Sequence, residues 1–142
     1  MATKEYDPEL VDTIVGVAEM SGFAEDAMIK FEESEDQWVL KKGVDGTFTR
    51  VRIQGKAGIF TISLMSSSRS NDVLSGLYLL DQLTPGGAGI VPLLVRDRNG
   101  TSTLAATESW IIKAPDLSFG KEPETREWRL QVVDYKLYVG GM

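Results

Sequence analysis

Four acids, Glu32, Glu33, Glu35 and Asp36, fall within five consecutive residues. Clustered carboxylates can hold a divalent cation, and paired carboxylates anywhere in the chain could run acid–base chemistry on a glycosidic bond, but sequence gives no separation between them. The spacing does not match a calcium loop and lacks its glycine, so a solvated loop is the plainer reading. Pro85-Gly86-Gly87-Ala88-Gly89 is glycine-rich enough to suggest a phosphate cradle, but no lysine followed by serine or threonine closes it. Gly55-Lys56 fails the same test, because Ala57 follows. Trp38, Trp110 and Trp128 offer stacking surfaces for a ligand, yet all three sit on predicted apolar strand faces, where core packing is the expected role. The chain has no cysteine and no histidine. That removes thiol nucleophiles, serine–histidine relays, disulfides and nearly every zinc or iron site. No catalytic residue, metal ligand or cofactor site is assigned.

Composition bounds the rest. A chain of 142 residues suits one domain and buries roughly 68% of its unfolded surface without staples. Fifteen basic against 21 acidic side chains leave a formal charge of −6, which repels phosphate and argues against gripping nucleic acid by counterion release. No run of 18 apolar residues exists, and the N-terminus has neither the basic nor the apolar region of a signal peptide. The expectation is a soluble protein made in a cytoplasm.

The elements are organised around residues 58–81. Phe60, Ile62 and Leu64 alternate with Thr61 and Ser63, the period of a half-buried strand. Ser66, Ser67 and Ser68 should end it, since their hydroxyls compete for local backbone groups. Ser70 is placed to cap a helix over about residues 70–81, with Asp72 in its first turn and Val73, Leu74, Leu77 and Tyr78 on its apolar face. Pro85 and the glycines after it should stop that helix. Residues 1–9, polar and containing Pro8, read as a flexible arm, leaving 10–142 as the folded domain.

Before the central strand, Val11, Thr13, Val15 and Val17 share one face of a first strand, with a turn at Ser21-Gly22, and Ala27, Ile29 and Phe31 supply a second. Asp45-Gly46 suits a type I′ turn, which would set Leu40 opposite Val51 and Trp38 opposite Ile53. The other face would then oppose Lys41 to Arg50 with Arg52 beside them. Like charges so placed cost a few tenths of a kcal/mol or more, so this face is expected either to meet an acidic surface, residues 32–36 or another subunit, or to stay a solvated basic face. A second hairpin turning at Asn99-Gly100 pairs Val95 with Leu104 and Leu93 with Ala106, and Trp110 and Ile112 continue the same face. Pro92 belongs at the start or edge of its strand. Glu108 interrupts the apolar face, implying a bulge, a paired acid or a subunit contact. In the last strand the apolar phase jumps from Trp128, Leu130 and Val132 to Val133, Tyr135, Leu137 and Val139, the mark of a bulge or sharp bend. The fold class is therefore mainly β: an antiparallel sandwich or barrel with one packed helix.

The segments GIFTISLMSSSRSNDVLSGL at 58–77, VPLLVRDRNGTS at 91–102, ESWIIKAPDLSFG at 108–120 and EWRLQVVD at 127–134 resemble a family of phage structural proteins assigned as tail tubes of contractile-tailed bacteriophages. The resemblance implies hexameric rings stacked into a tube inside a contractile sheath, with the fold of the type VI secretion tube protein. It also implies the sheath, tape measure and baseplate proteins as partners and the virion as location. Baseplate or tail-terminator rings are near relatives, and a ligand-binding β-sandwich is the alternative of another class. Ring closure would cover open sheet edges. Six sheets of about four strands at ~4.8 Å spacing give a bore of roughly 37 Å, wide enough for a DNA duplex to slide past an acidic wall without binding. Thr61 and Ser63, or the polar hairpin faces, are candidates for that wall. The candidate inter-subunit contacts are Lys41, Lys42, Asp45, Gly46, Arg50 and Arg52 on the first hairpin, with Glu32, Glu33, Glu35 and Asp36 as the acids that meet them.

Overall fold

The protein is described by a computed structural model covering residues 3–25 and 28–141. Among these residues are nine strands, β1 (Val11–Val15), β2 (Ala18–Glu19), β3 (Ile29–Glu33), β4 (Trp38–Lys42), β5 (Phe48–Arg52), β6 (Ala57–Met65), β7 (Val91–Asp97), β8 (Thr103–Lys113) and β9 (Thr125–Tyr138). One helix, α1 (Ser70–Leu83), joins β6 to β7, and a short 3-10 turn spans Pro8–Leu10. Seven strands form one antiparallel sheet in the order β2-β1-β7-β8-β9-β6-β3, while β4 and β5 pair only with each other. The architecture is sandwich-like, and the sheet folds over without closing. Its two sides meet at an apolar cleft of about 210 Å³ where Val11 and Val95 approach Ile29 and Phe31.

The central strand behaves as its alternation dictates. Phe60, Ile62 and Leu64 are fully buried with Leu130 and Val132 of β9 and Leu74 of α1. β6 stops at Met65, ahead of the serines, and α1 ends at Leu83, ahead of Pro85. Ser70 is not the cap. It lies inside the helix behind Arg69, which contributes no side-chain cap, and its Oγ accepts instead from the Ser21 N–H at 2.9 Å. Ser68 Oγ accepts from the Ser70 N–H at 3.2 Å. A second tie joins helix and sheet, from Trp128 Nε1 to Asn71 Oδ1 at 3.0 Å.

Several boundaries move for identifiable reasons. The first strand ends at Val15, because the chain turns at Gly16 (φ 68°) and leaves Val17 exposed before the two-residue β2. The second expected strand is β3, and its Ala27 lies outside the described residues. Val95↔Leu104 and Leu93↔Ala106 pair as expected, and Pro92 sits at the start of β7. Between Val91↔Ser109 and Leu93↔Ala106 the register slips. That bulge turns Ser109 and Ile111 inward, leaves Glu108 exposed, half-buries Trp110 and exposes Ile112. The face exchange in β9 lies at Val133-Asp134, where Asp134 takes φ 49°, and Tyr135 rather than Val133 is the next buried residue. Leu137 and Val139, expected to continue that face, are exposed.

Strand directions fix what lies at each end of the sheet. Antiparallel pairing throughout makes β6 and β8 run one way and β3, β7 and β9 the other. The β4–β5 hairpin therefore leaves from the end where β3 finishes and β6 begins. Helix α1 spans the opposite end, where β6 finishes and β7 begins, about 30 Å away along the nine residues of β6.

Candidate functional site

The site is built from the β4–β5 hairpin. The chain leaves the sheet after Glu33 and returns at Ala57, with the Ser34 N–H donating to the Ala57 carbonyl at its base. Its loop is not the two-residue turn expected from Asp45-Gly46. A type I′ turn needs positive φ at both positions, and only Gly46 has it, at 89°. The Gly46 N–H donates to the Gly43 carbonyl, and the Gly43 N–H to the Thr47 carbonyl, so the loop spans residues 43–47. Asp45 accepts from the Thr47 N–H at 3.0 Å, a bond that holds its carboxyl below the usual range.

That longer loop slips the register by one residue, and a one-residue slip reassigns both faces. The pairs are Trp38↔Arg52, Leu40↔Arg50 and Lys42↔Phe48, so Lys41 stands opposite Thr49, not Arg50. The expected separation into an apolar and a basic face does not form. One face interleaves Trp38, Leu40 and Phe48 with Lys42, Arg50 and Arg52. The Arg50 guanidinium lies 3.7 Å from the Trp38 ring centroid, and Arg52 lies 5.9 Å from it. Lys42 is 5.8 Å from the Phe48 ring. Stacking on rings satisfies these cations without opposed acids. Trp38 is thus 38% exposed, unlike Trp128 at 3%, and Phe48 is 63% exposed.

The four acids divide. Glu32 and Glu33 belong to β3, which corrects the reading of all four as a loop, while Glu35 and Asp36 are exposed in the connection to β4. Glu33 Oε2 accepts from the Tyr135 hydroxyl at 2.7 Å. Tyr135 also meets Phe31 edge to face, with centroids 4.9 Å apart. Burial first, then the hydrogen bond and charge of Glu33, push the Tyr135 phenol above its usual range. Glu32 pairs loosely with Lys30 at 3.9 Å. Among the described residues no three acids converge as metal ligands.

Two further surfaces carry no signal that strand periodicity could find. A groove of mixed character and about 290 Å³ runs over β3, β6 and β9, where Lys30, Glu32, Thr61, Glu127 and Arg129 line it together with Ile29 and Ile59. Ser63 borders it but is largely buried. Helix α1 is apolar on two sides. Leu74, Leu77 and Tyr78 face the core, whereas Val73, Leu79, Leu80 and Leu83 are exposed. Val73 was expected on the inner face, and it is the excess of leucines after Gly76 that marks the second one.

Comparison with known proteins follows from this geometry. Residues 12–140 match the family described as bacteriophage PhiTE tail tube protein. The chain is 29% identical over 145 residues to structural protein ORF10 of Pseudomonas phage KPP10, covering 98% of this chain and 84% of that one. Among solved structures, the sheath/tube terminator of the PVC extracellular contractile injection system superposes with a TM-score of 0.63 at 11% identity, over 96% of this chain and 99% of its own. The tube-terminating cap of the anti-feeding prophage gives 0.60 at 11% identity, over 97% and 95%. A chain of the PVC sheath-tube complex gives 0.58 at 11% identity, over 94% and 93%.

Proposed function

The chain belongs to the bacteriophage PhiTE tail tube protein family, and from that premise we propose that it forms hexameric rings that stack into the inner tube of a contractile tail. The observation that carries the reading is the hairpin: a two-stranded sheet standing off the main one, with Trp38, Leu40 and Phe48 exposed among basic side chains. An isolated hairpin is marginal in water, and exposed apolar surface of this kind is what a partner covers. The free edges of β2 and β3 give each copy unpaired backbone groups that a ring of sister copies would cover.

In this reading Lys41, Lys42, Arg50 and Arg52, presented around Asp45 and Gly46, contact a neighbouring copy at an acidic surface. Glu32, Glu35 and Asp36 are available for it, and Glu33 only by giving up Tyr135. Sheath, tape measure and baseplate proteins are the other partners, the role is structural with no catalysis, and the product is a virion component. The likeness to the type VI tube protein belongs to the same proposal. DNA would pass along a wall that includes Thr61 and the groove beside it, where Lys30 and Arg129 offset Glu32 and Glu127, so the bore offers no continuous basic track for phosphates.

Arg50→Glu together with Arg52→Glu is expected to block tube growth while leaving folded rings, as seen by electron microscopy. Unchanged tube length overturns the hairpin's role. A tube terminator is the second reading, favoured by two of the structural neighbours. Purified protein that stacks without limit excludes it, and single capping rings support it.

A further inference from the structure

The exposed side of α1 is a surface of defined composition. At 100° per residue, Val73, Gly76, Leu79, Leu80 and Leu83 fall on one arc of the helix opposite Leu74, Leu77 and Tyr78. Asp72 is the only charge on that arc, and α1 contains no lysine or arginine at all. Leu83 is 80% exposed. Nothing lies within 4 Å of the place a Cβ on Gly76 would occupy, so the arc has a gap at its centre. A helix apolar on both sides is normally covered on both.

The hairpin face has the complementary composition: three apolar side chains, Trp38, Leu40 and Phe48, set among three cations, Lys42, Arg50 and Arg52. The cluster at residues 32–36 answers only the charges, whereas the helix arc answers the apolar side chains as well. Hairpin and helix also leave the sheet at opposite ends, as the strand directions require. Hairpin and helix do not pack together within one chain, and a contact repeated between chains is head-to-tail, the kind that builds an open column when no rotation closes it into a ring.

We propose that the β4–β5 hairpin of one copy docks on the outward arc of α1 of a second copy in the next layer. An aromatic ring of the hairpin occupies the gap at Gly76, and the cations flank Asp72. This rests on the tube reading and narrows it, replacing residues 32–36 with α1 as the receiving surface.

The absence of cysteine from the sequence makes the test clean. Leu40→Cys combined with Leu83→Cys, assembled and treated with a short bis-maleimide, is expected to give a ladder of covalent multimers. Leu40→Cys with Glu35→Cys is expected to give none. Both variants change exposed residues, and circular dichroism verifies that they fold. A ladder from the Glu35 pair alone, or from neither pair, overturns the proposal. Leu80→Lys with Leu83→Lys is expected to leave rings and abolish tubes, and tubes of normal length from that variant overturn it too. Failure of the tube reading shows separately, as unmodified protein that never forms rings by electron microscopy.

Discussion

Tyr135 has one buried ring and one committed hydroxyl. Its phenol titrates higher folded than unfolded, so the unfolded chain releases its proton first. The stabilisation is complete below the unfolded pKa near 10 and is lost as pH rises above it. Tyr135→Phe is expected to cost about 1.5 kcal/mol at neutral pH by deleting a hydrogen bond to a charged acceptor. It is also expected to flatten the fall in melting temperature between about pH 9 and pH 11. Thermal unfolding across that range checks both. Thr13 presents the opposite case: fully buried opposite Val95, its hydroxyl has no hydrogen-bond partner among the described residues. Thr13→Val is therefore expected to leave stability unchanged or to raise it by about 1 kcal/mol in denaturant unfolding. Neither fact could be read from sequence. Tyr135 was legible as a core residue, but its partner lies 102 positions away, and Thr13 looked like an ordinary inward residue of an alternating strand.

Elements were legible where one local rule decided them. Phe60, Ile62 and Leu64 alternate with polar neighbours, so the face of β6 was unambiguous. Asn99-Gly100 placed the β7–β8 register correctly because the apolar residues on both arms agree with it. The β4–β5 register came out one residue off, since Asp-Gly serves a two-residue turn or, with glycine alone left-handed, a longer loop. On arms carrying Trp, Val and Leu in succession, the pattern could not choose between them. In β8 the run Trp110-Ile111-Ile112 has no polar alternation to mark which side faces in, and the bulge before it decided the matter. Because the hairpin pairs with no other strand, Trp38→Ala with Phe48→Ala is expected to change unfolding free energy by less than about 1 kcal/mol. Leu130→Ala, in the middle of the core, is expected to cost about 2–5 kcal/mol. Urea titrations of the two variants side by side test that division between exposed hairpin and core.

At the scale of the whole molecule, a mainly antiparallel sheet with one helix was readable from alternation and from a single 3.6-residue period. The strand order was not, because the pairing of β3 with β6 and of β1 with β7 joins segments separated by long stretches of chain. Nor was the detachment of the hairpin, which shows only when strand pairing is known. The departure of hairpin and helix from opposite limits of β6 carries one more consequence. In the stacking proposed above, copies aligned along that strand would all point the same way, so a column of them would have a front and a back of unlike chemistry, one greasy and cationic, the other greasy with Asp72 as its charge. A protein that halts elongation would need to recognise just one of these faces, and it would thereby tell the leading tip from the trailing one with no other marker.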